Sequence, residues 1–369
     1  LITLSGGGFD VVVGNPPFSA ELSRSTKKFL KITYNDSGST NTANLFWFRA
    51  LKLIKFGGRI GLVTPKSITY STRWNKTRLA LLPYLKEIID CGEAWKNILL
   101  EQVLIVVAKD DNNQDVKTKR LYHNTHEVVY ITRQILGIFD VWFVSPETGL
   151  IEILNRVQKF PQDWISLGKI IVTHRGDGCQ REVRNQGDFP VIGGKDIGSF
   201  KVRSVSGFVM SHHIGDFDKF KSPKAIFQNI VAYVLRPKPH IKIIGTVDYD
   251  GLICLDTINI VRCPTGVFSP ETIVAILSSK FINWLIHRIV FGFAQRTMHL
   301  DQFAFDRVFI PVDLLKVNQD LDILAKRLLQ SEGTDQDAIH SIEEIIQNAY
   351  RVEPALRKEI ATYFENFPQ

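Results

Sequence analysis

The sequence predicts an α/β fold followed by an α+β region and a helical tail. Three observations carry this. Over the first 145 or so residues, short apolar runs alternate with stretches of helical periodicity, the pattern of a sheet with helices packed on it. From Ile165 to about Val267, brief β-rich runs alternate with Gly and Pro, which suggests an irregular, mostly β domain. From Gln319 to Phe367 the spacing is helical, with one polar side. The expected organisation is 1–145, a linker helix over 146–164, a second domain over 165–318 and a helical tail over 319–369.

Phe9-Asp10-Val11-Val12-Val13 is a short apolar run bounded by Gly14-Asn15-Pro16-Pro17, and reads as a buried strand ending in a rigid turn. Residues 19–44 are rich in Ser, Thr, Asn and Lys and read as a mobile loop. A helix is expected from Asn44 to Phe56, stopped by Gly57-Gly58 as a C-terminal cap. Arg59 to Thr64 is a strand, and Ser71 to Leu82 a second helix capped by Ser71 or Thr72. Glu87–Asp90 and Val103–Ala108 are further strands. Ser145-Pro146-Glu147-Thr148 starts the linker helix: serine caps, proline takes the first helical position and glutamate faces the positive dipole end. Ser269-Pro270-Glu271-Thr272 repeats that signature before an apolar helix running to about Val290.

Composition narrows the function classes. With 369 residues, 44% of them hydrophobic, the chain can build two cores. No apolar run reaches the roughly 18 residues of a membrane span. Leu1 to Gly8 lacks the basic and apolar regions of a signal peptide. Leu1 in place of Met reads as a fragment of a longer chain. The four cysteines, Cys91, Cys179, Cys254 and Cys263, stand singly, so no structural zinc or other metal site is expected, and a reducing cytoplasm fits them. The net charge of +7 is concentrated: residues 168–245 hold 13 Lys and Arg against 6 Asp and Glu, and the remainder is balanced at 32 of each. A surplus gathered in one stretch is the footprint of a phosphate-binding face, or else of a solvated basic surface.

Asn15-Pro16-Pro17-Phe18 follows its strand directly, at the carboxyl end where open α/β sheets bind ligands. As chemistry, the tetrapeptide suits an exocyclic amine. Such a nitrogen is a poor nucleophile because its lone pair is delocalised into the ring. Two acceptors aimed at its N–H bonds favour a pyramidal nitrogen. The Asn15 side-chain oxygen and the Pro16 carbonyl can serve, held in advance by proline's fixed φ. Phe18 can stack on the base. The plain alternative is a Pro-rich turn.

The stretch Phe9 to Phe18, FDVVVGNPPF, resembles the catalytic motif of adenine-N6 and amine-directed methyltransferases. Asn44 to Ser67, NLFWFRALKLIKFGGRIGLVTPKS, is similar to the helix, glycine turn and strand that follow this motif in the γ-type enzymes. Ile88 to Gly92, then Trp95, then Gln102 to Val107, resembles the later motif whose aromatic packs on the flipped adenine; Trp95 takes that place, or is ordinary core. The second half is similar to the target-recognition domain of TaqI-type and type IIG restriction–modification enzymes. Its marks are Phe189 to Ile197, Lys224 to Asn229, Ala275 to Asn283 and Phe309-Ile310-Pro311. The resemblance implies a partial Rossmann-like methyltransferase sheet, its N-terminal strands missing, followed by a target-recognition domain. It implies catalytic roles for Asn15, Pro16, Pro17 and Phe18, base stacking by Phe18 and Trp95, and S-adenosylmethionine as cofactor, touched by Asn15. The family's glycine-rich cofactor loop lies upstream of the catalytic motif. Gly6-Gly7-Gly8 lacks a preceding strand and a following helix and is not that loop. The expectation is that a preceding segment or subunit supplies the rest of the cofactor site. No nuclease-type acidic cluster followed by a lysine motif is found.

Double-stranded DNA is the expected partner. The target base would have to flip out, with phosphate contacts giving affinity and register. Arg175, Arg181, Arg184, Lys195, Lys201 and Arg203 are the candidates for those contacts, and Ser23 to Lys28 could close over the flipped base. His212-His213 reads as a loop pair. Asp301 and Asp306, near Arg296 and His299, could touch DNA or pair locally, and Phe281 to Phe305 reads as core. Two other readings stay open: a DNA-binding specificity subunit or inactive fragment, and an enzyme acting on another amide or amine.

Overall fold

A computed structural model of the chain describes residues 7–18, 21–34, 41–93, 100–109, 114–121, 128–144, 146–213, 223–295 and 298–364. They fall into two compact units, Leu1–Ile151 and Glu152–Gln369. Trp95, Ser145 and Arg296 lie outside the described residues.

The first unit is built on a mixed sheet of six strands: β1 (Phe9–Gly14), β2 (Ile54–Pro65), β3 (Leu85–Gly92), β4 (Gln102–Ala108), β5 (Asp115–Arg120) and β6 (Val129–Thr132). Their order is β1-β2-β4-β3-β5-β6. The β1–β2 and β3–β5 pairs are parallel and the others antiparallel. Consequently β1, β2, β3 and β5 end at the same edge of the sheet. Central strands are buried through alternating apolar residues such as Ile60, Leu62, Ile88, Val103 and Ile105.

β1 departs from expectation. It is a strand but not a buried one: Phe9, Val11 and Val13 are 39%, 60% and 75% exposed. The reason is its place at the sheet's edge, where among the described strands only β2 pairs with it. Residues 19–44, expected as a loop, include a helix over Arg24–Thr33, started by the Ser23 side chain accepting from the Thr26 N–H, and the start of a second helix. That second helix spans Thr42–Leu53, three residues short of the expected end, because the chain turns into β2 at Ile54. Gly57 and Gly58 therefore sit inside β2, not at a helix cap. Gly57 has φ +82°, and a side chain on Gly58 would collide with the carbonyl oxygens of Phe9 and Asp10. The expected Ser71–Leu82 helix is a 3-10 turn over Thr72–Trp74 followed by an α-helix over Asn75–Leu81, and neither Ser71 nor Thr72 makes a side-chain cap bond there.

The helix Thr148–Lys159 follows the Pro146-Glu147 signal. In the second unit, the strands Gly245–Asp248, Lys224–Gln228, Ile258–Arg262 and Val172–Arg175 form one sheet in that order. Gly207–Val209, Phe189–Ile192 and Ile253–Cys254 form another. Ile192, Ile197, Ile226, Cys254, Ile258 and Ile260 pack between these elements as one core. Lys224 is fully buried, donating to the Leu252 carbonyl at 2.8 Å and pairing with Asp248 at 3.0 Å. The helix expected to run from Pro270 to about Val290 is two helices, Pro270–Ser278 and Lys280–Ile289. Ser279 breaks it with an extended ψ of 140° and caps the second. Ser269 caps the first, accepting from the Thr272 N–H. Helices Asn318–Gln330, Gln336–Ala349 and Pro354–Phe364 make up the tail. No described helix is long and apolar enough to cross a membrane.

Candidate active site

The turn Asn15-Pro16-Pro17-Phe18 leaves β1 at the edge where β2 and β3 also end. Gly14 lies opposite Leu62, Pro65 opposite Gln102, and Gln102 opposite Gly92. Asn15 and Pro17 are exposed, Pro16 is buried and Phe18 half-buried. Two carbonyls of the turn are tied to the start of the following helix. The Thr42 hydroxyl donates to the Pro17 carbonyl at 2.6 Å, and the Asn41 amide nitrogen to the Phe18 carbonyl at 3.1 Å. The Asn41 side-chain oxygen meanwhile accepts from the Asn44 N–H and caps that helix. Among the described residues nothing engages the Asn15 side chain or the Pro16 carbonyl. The two groups that the sequence marks as paired acceptors are thus both unengaged among the described residues. Proline fixes φ on both sides of the Pro16 carbonyl, so holding it costs little further entropy.

The same edge carries a charge cluster that sequence reasoning missed. Lys66, just after β2, is 1% exposed and bridges Asp90 at 2.9 Å and Glu101 at 3.0 Å. Asp90 also accepts from the Gly92 N–H, and the Lys66 N–H donates to the Glu101 carbonyl. The cluster thereby fastens the ends of β2 and β3 to the residue before β4. Burial, with the Glu101 charge added, pushes the Tyr70 hydroxyl up to about 12. A lysine immediately after a buried strand, Thr64-Pro65-Lys66, was the available signal: a buried ammonium requires carboxylate partners. Thr64 Oγ1 and Gln102 Oε1, both buried at this edge, have no hydrogen-bond partner among the described residues.

Ser23 to Lys28, expected as a closing loop, are the cap and first turn of the exposed helix Arg24–Thr33. The six basic candidates of the second unit are all exposed. Arg175 donates to the Asp256 carbonyl at 2.6 Å, Arg184 to the carbonyls of Arg181 and Val183, and Lys201 pairs with Glu332 at 2.7 Å. Lys201 and Arg203 line one cavity of that unit. The rings of His212 and His213 lie with centroids 4.1 Å apart and planes tilted by 44°, in a short exposed turn. Asp301 caps a helical turn, and the Asp306 carboxylate accepts from Gln302. His299 meets Asn229 at 3.2 Å. Phe281, Trp284, Phe291 and Phe305 are core. The four cysteines are free thiols, and no group of three or more His, Cys, Asp or Glu able to hold a metal occurs among the described residues.

The carboxyl edge of this α/β sheet thus ends in an Asn-Pro-Pro-Phe turn. Residues 3–95 match the family described as Eco57I restriction-modification methylase. Over 199 residues the chain is 24% identical to the type II methyltransferase M.VspI of Vibrio sp. (strain 343), covering 51% of this chain and 48% of that protein. It spans about half the length of that curated relative. Solved structures similar to it include the type IIG restriction endonuclease BpuSI, at 12% identity and TM-score 0.36, over 93% of this chain and 54% of that one. A DrdV–DNA complex matches at 9% identity and TM-score 0.43, over 87% and 44%.

Proposed function

We propose that this chain carries the base-binding and DNA-reading parts of a site-specific DNA adenine-N6 methyltransferase of a restriction–modification system. On this reading, residues 1–145 are the C-terminal half of the catalytic domain and 165–318 the target-recognition domain. The observation that carries it is the pair of unengaged acceptors, the Asn15 amide oxygen and the Pro16 carbonyl, on a turn fixed by its neighbouring carbonyls.

Asn15 and Pro16 accept the two N–H bonds of an extruded adenine amine. This draws the nitrogen toward the tetrahedral geometry in which its lone pair is free to attack, and both acceptors strengthen as positive charge develops there. No side-chain base is needed before attack; the proton passes to solvent water afterwards. Phe18 and Trp95 sandwich the base, and the six exposed cations hold the duplex through its phosphates. S-adenosylmethionine, when bound, supplies an electrophilic methyl group on a sulfonium. The exposed Asn15 side chain and the uncovered apolar residues of β1 fit one wall of its site. The exposed apolar edge of β1 leaves room for another element to complete that pocket.

The test is methyl transfer to adenine in duplex DNA, read by mass spectrometry of the digested product. Asn15→Ala lowers turnover on the order of 10²–10³-fold and leaves duplex affinity unchanged. Unaltered turnover removes the assignment. Duplex binding without any transfer in the assembled protein favours a DNA-reading specificity subunit instead. Micromolar cofactor binding by this chain alone contradicts the need for a completing segment.

A further inference from the structure

The second unit holds a cavity of about 470 Å³, two of whose wall residues, Lys201 and Arg203, are among the cations assigned to the duplex above. This falls in the range of pockets for small organic ligands, roughly 300–1,000 Å³. Its walls come from the segment Ser199–Arg203, the strand His240–Lys242, the helix pair Pro270–Ser278 and Lys280–Ile289, and the tail helices.

Its charges are unequally matched. Four cations line it: Lys201, Arg203, Lys242 and Lys280. Two carboxylates line it as well, and both are committed. Glu332 pairs with Lys201 at 2.7 Å. Glu343 accepts from the N–H groups of Lys280 and Phe281 and from Gln347, closing the start of the helix Lys280–Ile289. Among the described residues no carboxylate or other side chain engages the charged groups of Arg203, Lys242 or Lys280. Lys242 is half-buried, and its ammonium is held below the ordinary lysine value by burial first and by the Arg203 charge second. The two cations line one cavity, Lys242 partly withdrawn from solvent, and like charges placed together cost free energy unless an anion joins them.

The apolar part of the cavity is shaped by Phe200 and Phe364. Phe200 holds a left-handed backbone, φ +63°, and its ring packs where a side chain on Gly333 would stand. Non-glycine residues in that region store strain and concentrate at ligand clamps. Arg203 is placed in a similar way: its guanidinium lies over Gly198, where a Cβ would collide with it.

We propose that this cavity binds a phosphate-bearing ligand of nucleotide size, its phosphate held by Arg203 and Lys242 and its flat apolar part set against Phe200 and Phe364. The phosphate belongs either to a free nucleotide or to the backbone of a DNA strand. In the second case the inference rests on the duplex-binding reading above; in the first it is independent of it.

The experiment is calorimetric titration of the protein with adenosine 5′-monophosphate and, separately, with a duplex lacking terminal phosphates. Each is run on the native protein and on Arg203→Gln, Lys242→Gln and Lys358→Gln, the last an exposed tail lysine that does not line the cavity. Binding of the mononucleotide, weakened tenfold or more by Arg203→Gln and Lys242→Gln and untouched by Lys358→Gln, supports the free-nucleotide form. Duplex affinity reduced tenfold or more by the same two variants, with no mononucleotide binding, supports the backbone form. If neither ligand distinguishes the cavity variants from Lys358→Gln, the proposal is overturned, even where methyl transfer proceeds. Lys242→Arg, which keeps the charge, should restore binding and so separates a lost contact from a misfolded variant.

Discussion

β1 and the strand Lys224–Gln228 are short, mainly apolar segments, yet they end in opposite environments. In Lys224–Gln228 the residues Ala225, Ile226 and Phe227 are fully buried, and so is Lys224 itself. In β1 the apolar side chains of Phe9, Val11 and Val13 are all exposed. The difference is one of neighbours. Lys224–Gln228 is paired on both edges, by Gly245–Asp248 and Ile258–Arg262, with a hydrophobic cluster packed against it. β1 is paired with β2 on one edge. An apolar strand says that something should cover it and leaves open what does. The interior strand can therefore absorb a charged residue, given a partner, while the edge strand leaves Val11 and Val13 in solvent.

The largest test of this contrast is Lys224→Met. It leaves the Asp248 carboxylate fully buried without its cation, and a loss of about 3–5 kcal/mol is expected in denaturant unfolding. A near-neutral result would mean that the pair is not what makes the interior strand tolerable. Next comes Ile226→Ala, which opens a cavity in the core and should cost about 2–5 kcal/mol. Ser269→Ala removes one helix cap in the same unit, with a loss of about 1 kcal/mol. At the far end, Val13→Thr in β1 should shift stability by less than about 0.5 kcal/mol. A larger loss from that change would show that β1 is covered in solution.

A pH series adds a smaller effect in the buried region. Burial holds His240 below the ordinary histidine value of about 6.5. The unfolded chain then binds the proton more readily than the folded one. Stability from this group is present in full above about pH 6.5 and falls as acid carries the pH below it. Unfolding free energy measured between pH 5 and 8 should flatten over that window in His240→Gln. An unchanged slope would assign the acid sensitivity to other groups.

Local signals were the legible ones. Ser269 caps its helix because a hydroxyl three residues ahead of a free N–H is a short-range fact. β3 and β4 were placed within two residues by their apolar runs alone. The turn after β1 was legible because its signal, Asn15-Pro16-Pro17-Phe18, is contained in four consecutive residues. What was not legible depends on distant partners. The exposure of β1 follows from sheet order, which no window of its own sequence contains. Arg24–Thr33 was read as loop from its polar composition, but capping by Ser23 and a lysine-rich face suffice for a solvated helix. Gly57-Gly58 fits a helix stop in sequence; the strand pairing put it opposite Phe9 and Asp10 instead. The Lys66, Asp90 and Glu101 cluster joins residues up to 35 positions apart, and only the fold brings them together.

Asn41 has two jobs at once: one end of its amide starts a helix and the other grips the carbonyl of Phe18. Fraying of that first helical turn, a small and local event, would therefore slacken the Asn15–Phe18 turn while the rest of the sheet stayed intact. Warming should silence the proposed methyl transfer some degrees before any bulk melting signal, and the gap between the two temperatures would report how firmly a single asparagine ties them.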